Sequence, residues 1–367
     1  MPGYLWDGAL ERYNTLRVSG KTPAWLDRGH MHFELRFWEE LLTPPDVVKK
    51  ALPLLEEFGA GIAIAMYPAS LTRKNANALV KLKEAGVEIA FWPLMDKEMG
   101  YFPGERNALA YSKLVRKQLE WASKNEVTPD IVAVDLEMPL QQMFKVMSAG
   151  NPFEKLRGVY TSARENLDRE RYFRAKARLD KLNEEIQDQG IRTLTAVLPW
   201  VGLELEGEAE LLQDMTETPA SGIGWDVLSP MLYVSMIQGM SGGAIKSKEA
   251  NWFVYDNCLK LREKYGGRAG VSLGLTGGGV LQAEPTFNNA AELVVGLEAA
   301  LAAGIRDVSI YSLGGILSRQ DPRAWFEAIR GSVPRVPERS WVVADGLTAA
   351  RYVYPRFAKL IDWYRRA

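Results

Sequence analysis

The chain has 367 residues, 47% hydrophobic and 25% charged, with a formal net charge of −1. That length suits one large domain with decorations, and the near-zero charge excludes a global basic field for nucleic acid or an anionic membrane surface. The single cysteine excludes an internal disulfide and a cysteine-rich zinc site, and no 18-residue apolar run offers a membrane span.

The opening "MPGYLWDGALERYN" has no apolar signal-peptide core. Removal of a leader would place the protein outside the cell or in a periplasm; otherwise a cytoplasmic setting is expected. Residues 1–29 read as an aromatic-containing extension. The first strand is "MHFELRFW", and Pro44 and Pro45 open the helix around "DVVKKALPLLEEF". From there one unit recurs: "EEFGAGIAIAMYP", "KEAGVEIAFWP", "QDQGIRTLTAVLPW", "KYGGRAGVSLGL" and "AAGIRDVSIYSL". Glycine suits the left-handed position just past a helix, so each reads as helix, tight turn, strand. "DIVAVDLE" and "WDVLSPMLYV" are strands without that glycine entry, as is the first, which makes eight.

Between them, "RENLDRERYFRAKARLDKLNEEIQDQG" mixes acids and bases as a solvated helix face does. Cys258 falls in the helical pattern "NWFVYDNCLKLREKY" and reads as structural. Asp321 and Pro322 cap and start the last barrel helix, and Gly331 closes it. Residues 332–367 form a C-terminal extension, with "DGLTAARYVYPRFAKLIDWYRRA" as a terminal helix packed on the rest.

Strands alternating with helices longer than ten residues imply parallel βα units. Eight such units over about 300 residues predict a (β/α)8 TIM barrel spanning 30–331, with N- and C-terminal extensions. An open doubly wound sheet is the competing fold, and eight strands in a row are long for it. Alternation within strands supports closure. The predicted inward sets are His32, Glu34, Arg36 and Trp38 on the first strand, Gly61, Ala63, Ala65 and Tyr67 on the second, and Ala133, Asp135 and Glu137 on the fourth. Gly270, Ser272, Gly274 and Thr276 follow on the seventh, and Ser309 and Tyr311 on the eighth. These are small or polar, whereas an inert barrel interior is filled with Val, Ile and Leu. Something polar is therefore expected in the barrel mouth.

Barrel active sites lie at the C-terminal strand ends. The candidates there are Glu34, Arg36, Tyr67, Trp92, Asp96, Asp135, Glu137, Trp200, Tyr233 and Tyr311. Acids with aromatic rings suit sugar chemistry: acids move protons or stabilise an oxocarbenium ion, and rings stack on sugar faces. Asp135 and Glu137 share one side of a strand, with Cα atoms roughly 6–7 Å apart. One can hold a proton that the other repels. The structural alternative is a salt bridge to Arg36, or capping of the next loop.

This pattern resembles the family 18 glycoside hydrolases, the chitinases and their relatives. Their fourth strand ends in Asp-x-Asp-x-Glu; here "AVDLE" matches the last two positions with Asp135 and Glu137, and the first is Ala133. Their sixth strand often carries Met-x-Tyr-Asp; here Met231 and Tyr233 match and Val234 replaces the Asp. The resemblance implies a TIM barrel in which Glu137 is the proton donor. Asp135 would orient the substrate's N-acetyl group, which acts as nucleophile, and Tyr233 would reach the acetamide. The large retaining class would need an acid at the end of the seventh strand, and "LGLTGGG" has none before Glu284. Glu34 or Asp96 are the other acids that could be recruited.

The expected activity is thus acid-assisted glycoside hydrolysis of a polysaccharide or glycan. Tyr233 and Tyr311 would hydrogen-bond the substrate, and Trp92 and Trp200 would line sugar subsites. No cofactor or metal is expected, and nothing speaks to oligomeric state. Two other classes are weighed. Ala133 and Val234 fit a non-catalytic glycan-binding barrel. "TGGG" and "LGG" after the last two strands could cradle a phosphosugar. "HMH" at His30 and His32 resembles the paired metal histidines of amidohydrolase barrels, but those need histidines on later strands, and the chain has only these two.

Overall fold

The computed structural model describes residues 32–139, 167–199, 202–205, 210–240, 245–278 and 285–366. Eight strands run in chain order: β1 Glu34–Glu39, β2 Gly61–Met66, β3 Ile89–Pro93, β4 Ile131–Leu136, β5 Arg192–Val197, β6 Val227–Pro230, β7 Gly270–Gly274 and β8 Asp307–Tyr311. All ladders are parallel, in the order β6-β5-β4-β3-β2-β1-β8-β7. Bridges from Leu228 to Ala269 and from Met231 to Ser272 bring β6 against β7. The sheet is thereby a nearly closed (β/α)8 barrel, as the strand–helix alternation predicts.

The recurring glycine turns form as read. Gly59, Gly86, Gly190, Gly266 and Gly304 all have positive φ, between 55° and 89°. Each lets a helix end and the next strand begin within a few residues. Pro44 starts the helix Pro44–Lys50, and Asp321 caps Pro322–Arg330 by accepting from the Ala324 amide. The helices cover the barrel with Leu, Ile and Phe, and Cys258 is fully buried among them.

Register sets the interior. Arg36 lies beside Gly61 and Ser309, Trp38 beside Ala63 and Tyr311, Ala65 beside Trp92, and Asp135 beside Ala196. The strand residues of the inward sets read from alternation therefore lie level with one another, while His32, read as part of the first set, precedes β1 and is exposed. The sixth strand is shorter than predicted. Its ladder ends at Pro230, which has no amide hydrogen to donate, and Val234 already begins the helix Val234–Met240. Tyr233 consequently lies past the end of β6, immediately before that helix. The C-terminal helix Trp341–Arg366 packs back on the molecule. The Tyr354 hydroxyl donates to Glu204, and Arg351 pairs with Asp256 at 2.5 Å. Among the described residues, no helix is long and apolar enough to cross a membrane.

Candidate functional site

The two ends of the barrel do different work. At the N-terminal end, Arg36 is fully buried. It donates to Glu88 at 2.6 Å and to Asp307 at 3.1 Å. Arg192 donates to Glu88 at 2.6 Å and to Glu34 at 3.3 Å. Burial pushes the Glu34 carboxyl up to about 7, with Asp307 adding to the rise and Arg192 opposing it. Glu34 and Arg36 were expected at the mouth. The register instead sets Glu34 level with Asp307, the first residue of β8, so both belong to an ion cluster that seals the barrel's base. His32 is exposed ahead of β1, at this same end. His30 and Trp200 lie outside the described residues.

The C-terminal end gathers the rest. Trp38 and Trp92 meet edge to face at 4.9 Å and form the floor, both nearly fully buried. Trp92 also meets the Tyr311 ring at 6.4 Å, and Tyr311 faces Tyr233 at 6.3 Å. The buried indole Nε1 atoms of Trp38 and Trp92 have no hydrogen-bond partner in the protein. Tyr67, just past β2, has its hydroxyl 2.8 Å from that of Tyr101. Asp96 is exposed in the loop after β3, where it precedes the turn Lys97–Met99.

Asp135 ends the inward column of β4 and is 4% exposed, whereas Glu137 is half-buried. Burial raises the Asp135 carboxyl to about 8; a hydrogen bond with Glu137 pulls it down, and the charge of Glu40 pushes it up. One of its oxygens, Oδ1, has no hydrogen-bond partner in the protein. The expected alternative, a salt bridge from Asp135 to Arg36, does not form, because Arg36 is committed to the base. Burial thus raises Asp135 beside a second, more open acid, the direction in which a carboxyl holds its proton to higher pH.

Glu40 is the site residue that sequence reasoning missed. It is buried just past β1, and its two oxygens accept from the Tyr101 and Tyr311 hydroxyls, the latter at 2.6 Å. The signal was available: Glu40 is two residues beyond inward-facing Trp38, so the same alternation aims it into the mouth. Its neighbour Glu39 points the other way. Glu39 accepts from the Leu41 and Leu42 amides at 2.8 Å and from Gly314 at 2.6 Å. Gly315 in turn donates to the Ser312 hydroxyl at 3.3 Å. The amides after β8 that could cradle a phosphate are therefore engaged within the protein, which removes the support for a phosphosugar site there. Gly279, the last glycine of "TGGG", lies outside the described residues. Among the described residues, no group of three or more His, Cys, Asp or Glu side chains is arranged to hold a metal ion.

No family model matches the chain, and no curated protein matches it. Among solved structures, it is similar to the PgaB (BpsB) glycoside hydrolase domain from Bordetella bronchiseptica. The identity is 9% and the TM-score 0.49, covering 82% of this chain and 99% of that one. The catalytic domain of a hyperthermophilic chitinase from Pyrococcus furiosus is 14% identical with a TM-score of 0.44, covering 90% and 97%. An L-ribulose 3-epimerase is 13% identical with a TM-score of 0.44, covering 90% and 98%. Barrels of this kind host unrelated chemistries, so function is argued from the site's own geometry.

Proposed function

We propose that this barrel is a glycoside hydrolase acting on a polysaccharide or glycan. The observation that carries the reading is the buried Asp135, hydrogen-bonded to half-buried Glu137 at the C-terminal end of β4, the end of the barrel that also gathers the Trp92, Tyr311 and Tyr233 rings. Glu137 is the more open of the two and would give its proton to the glycosidic oxygen as the bond to the anomeric carbon breaks. Asp135 would stabilise the positive charge that develops on the sugar, or orient an N-acetyl group attacking that carbon. Water would then supply the hydroxyl that completes hydrolysis and return a proton to Glu137. Tyr67 and Tyr311 would hydrogen-bond the sugar, and Trp92 would offer it a flat apolar face.

The test is a panel of chitin-like, peptidoglycan-like, acidic and neutral glycans, assayed for bond cleavage. Cleavage by the wild-type chain should fall at least about 100-fold in Glu137→Gln. Full activity in that variant overturns the assignment of Glu137. A second reading, a glycan-binding barrel without turnover, is favoured by Ala133, which places a methyl group on the inward column below Asp135. Glycan binding with no cleavage, unchanged in Glu137→Gln, would establish it instead.

A further inference from the structure

We propose that Glu40 sets the direction of a hydrogen-bond chain through Tyr67, Tyr101 and Tyr311, so that this side of the mouth offers a ligand acceptors only. It then takes the hydroxyl groups of an uncharged sugar and turns away carboxylate and sulfate groups. The proposal rests on the glycosidase reading for its ligand, but the direction of the chain is measured without one.

The chain crosses four neighbouring strands. β8, β1, β2 and β3 lie side by side. Tyr311 ends β8, Glu40 and Tyr67 directly follow β1 and β2, and Tyr101 comes from the segment after β3. The Tyr311 hydroxyl donates to one Glu40 oxygen at 2.6 Å, and the Tyr101 hydroxyl donates to the other. The Tyr101 and Tyr67 oxygens are 2.8 Å apart, and their rings meet at 6.2 Å. Glu40 and Tyr101, in the middle, are 7% and 3% exposed, whereas Tyr67 and Tyr311, at the two ends, are half-buried. The chain is thus closed in its middle and open at its ends.

Counting protons gives the direction. A phenol has one proton to donate, and a carboxylate has none. With both oxygens accepting, Glu40 is the point on which the protons converge. Tyr101 spends its proton on Glu40, so Tyr67 has to be the donor in the 2.8 Å contact between them. Tyr311 spends its proton on Glu40 as well. Any further partner of the Tyr67 or Tyr311 oxygen must therefore donate to it. Burial keeps these protons in place. It pushes the Tyr67 hydroxyl up to about 12 and, with Glu40 adding to the rise, the Tyr101 hydroxyl far above its ordinary value. Sugar hydroxyls can donate to two such oxygens. A carboxylate or sulfate has no proton to give, and would displace water from them without replacing its hydrogen bonds.

Proton NMR of the whole chain, with 13C-labelled tyrosine, reads the hydroxyl protons; Tyr67→Phe, Tyr101→Phe and Tyr311→Phe each assign a signal by its loss. The Tyr101 and Tyr311 protons should lie downfield and exchange slowly, and the Tyr101 signal should stay downfield in Tyr67→Phe. Its loss there would show that the proton had pointed to Tyr67, and overturns the proposal. Calorimetric titration then compares chito- and cello-oligosaccharides with the same sugars oxidised at C6 to uronic acids. Whichever sugar binds should do so at least about 10-fold more tightly in its uncharged form. In Glu40→Gln the new amide donates to one tyrosine and frees that tyrosine's proton toward the mouth, so the ratio should fall below about 3-fold. Tyr67→Phe, which removes one acceptor, should narrow the ratio too, and it serves where Glu40→Gln does not fold. An oxidised form bound as tightly as the uncharged one, or a ratio unchanged in the folded variant, overturns the proposal and leaves the glycosidase reading standing. A Tyr101 signal that holds in Tyr67→Phe, with no glycan bound in either form, keeps the direction of the chain and overturns the glycosidase reading.

Discussion

Arg36 and Glu40 lie four residues apart on one inward column, yet they serve opposite ends of the barrel. Both carry charge into the interior, and the difference is in their partners. Arg36 is surrounded by carboxylates that have few other routes to neutralisation: Glu88 and Asp307 are 8% and 7% exposed. Arg36→Met would leave those acids buried beside a neutral side chain. Breaking a buried ion pair from one side typically costs about 3–5 kcal/mol. Urea unfolding should show a loss of that order. Since the cluster is at the base, the folded fraction of Arg36→Met should keep wild-type affinity for any glycan ligand. Lost affinity in well-folded protein would mean that the base communicates with the mouth.

The elements that position the mouth meet at the loops after β7 and β8. Thr276 donates its hydroxyl to the Ser312 carbonyl at 2.7 Å and accepts from the Ser312 amide at 3.0 Å. The glycines beside them touch: a Cβ on Gly315 would sit 2.4 Å from the Gly277 nitrogen and 2.5 Å from the Thr276 carbonyl carbon. Those atoms are backbone and cannot rotate away. Gly315→Ala should therefore cost about 1–3 kcal/mol by overpacking and displace the short helix Leu313–Leu317 that follows β8. Thermal melts should show the loss, together with weakened glycan binding. Gly346, in the exposed C-terminal helix with open space around its Cα, is the control. There, Gly346→Ala should stabilise by about 0.5–1 kcal/mol from helix propensity alone.

At the scale of the whole molecule, buried acids couple stability to pH. Glu34, raised to about 7, and Asp135 and Glu105, each raised to about 8, owe the shift first to burial. Each holds its proton to a higher pH folded than unfolded, where the ordinary values are 4.5 for glutamate and 3.8 for aspartate. The folded state consequently binds more protons between about pH 4 and 8, and stability falls as pH rises through that window. Calorimetry from pH 5.5 to 8.5 should show a falling Tm. Asp135→Asn removes one of these groups, so it should flatten the slope and raise Tm at pH 8.5 relative to wild type. A slope unchanged in Asp135→Asn would show that Asp135 ionises without cost. The same substitution should impair any cleavage, which would put stability and activity in opposition at this residue.

The sequence by itself determined the barrel. Glycine-ended helices, apolar strands and two-residue alternation are local signals, and they state which side chains face in. They were enough to bring Asp135, Glu137, Tyr67, Trp92, Tyr233 and Tyr311 into one discussion. What only the tertiary structure decided is depth and partnership. Alternation says that Glu34 and Arg36 point inward, but only the ladder to β8 shows how far down the barrel they lie. "WEEL" offers two adjacent acids; alternation sends one inward and one outward, but nothing local says what either will bond. Glu39 turned out to staple β1 to the short helix Leu313–Leu317 after β8, and Glu40 to accept from the Tyr311 hydroxyl at the mouth. Their bonds span 275 and 271 residues of chain. Such long-range pairings have no trace in local periodicity, because they exist only once the barrel closes and brings β8 beside β1.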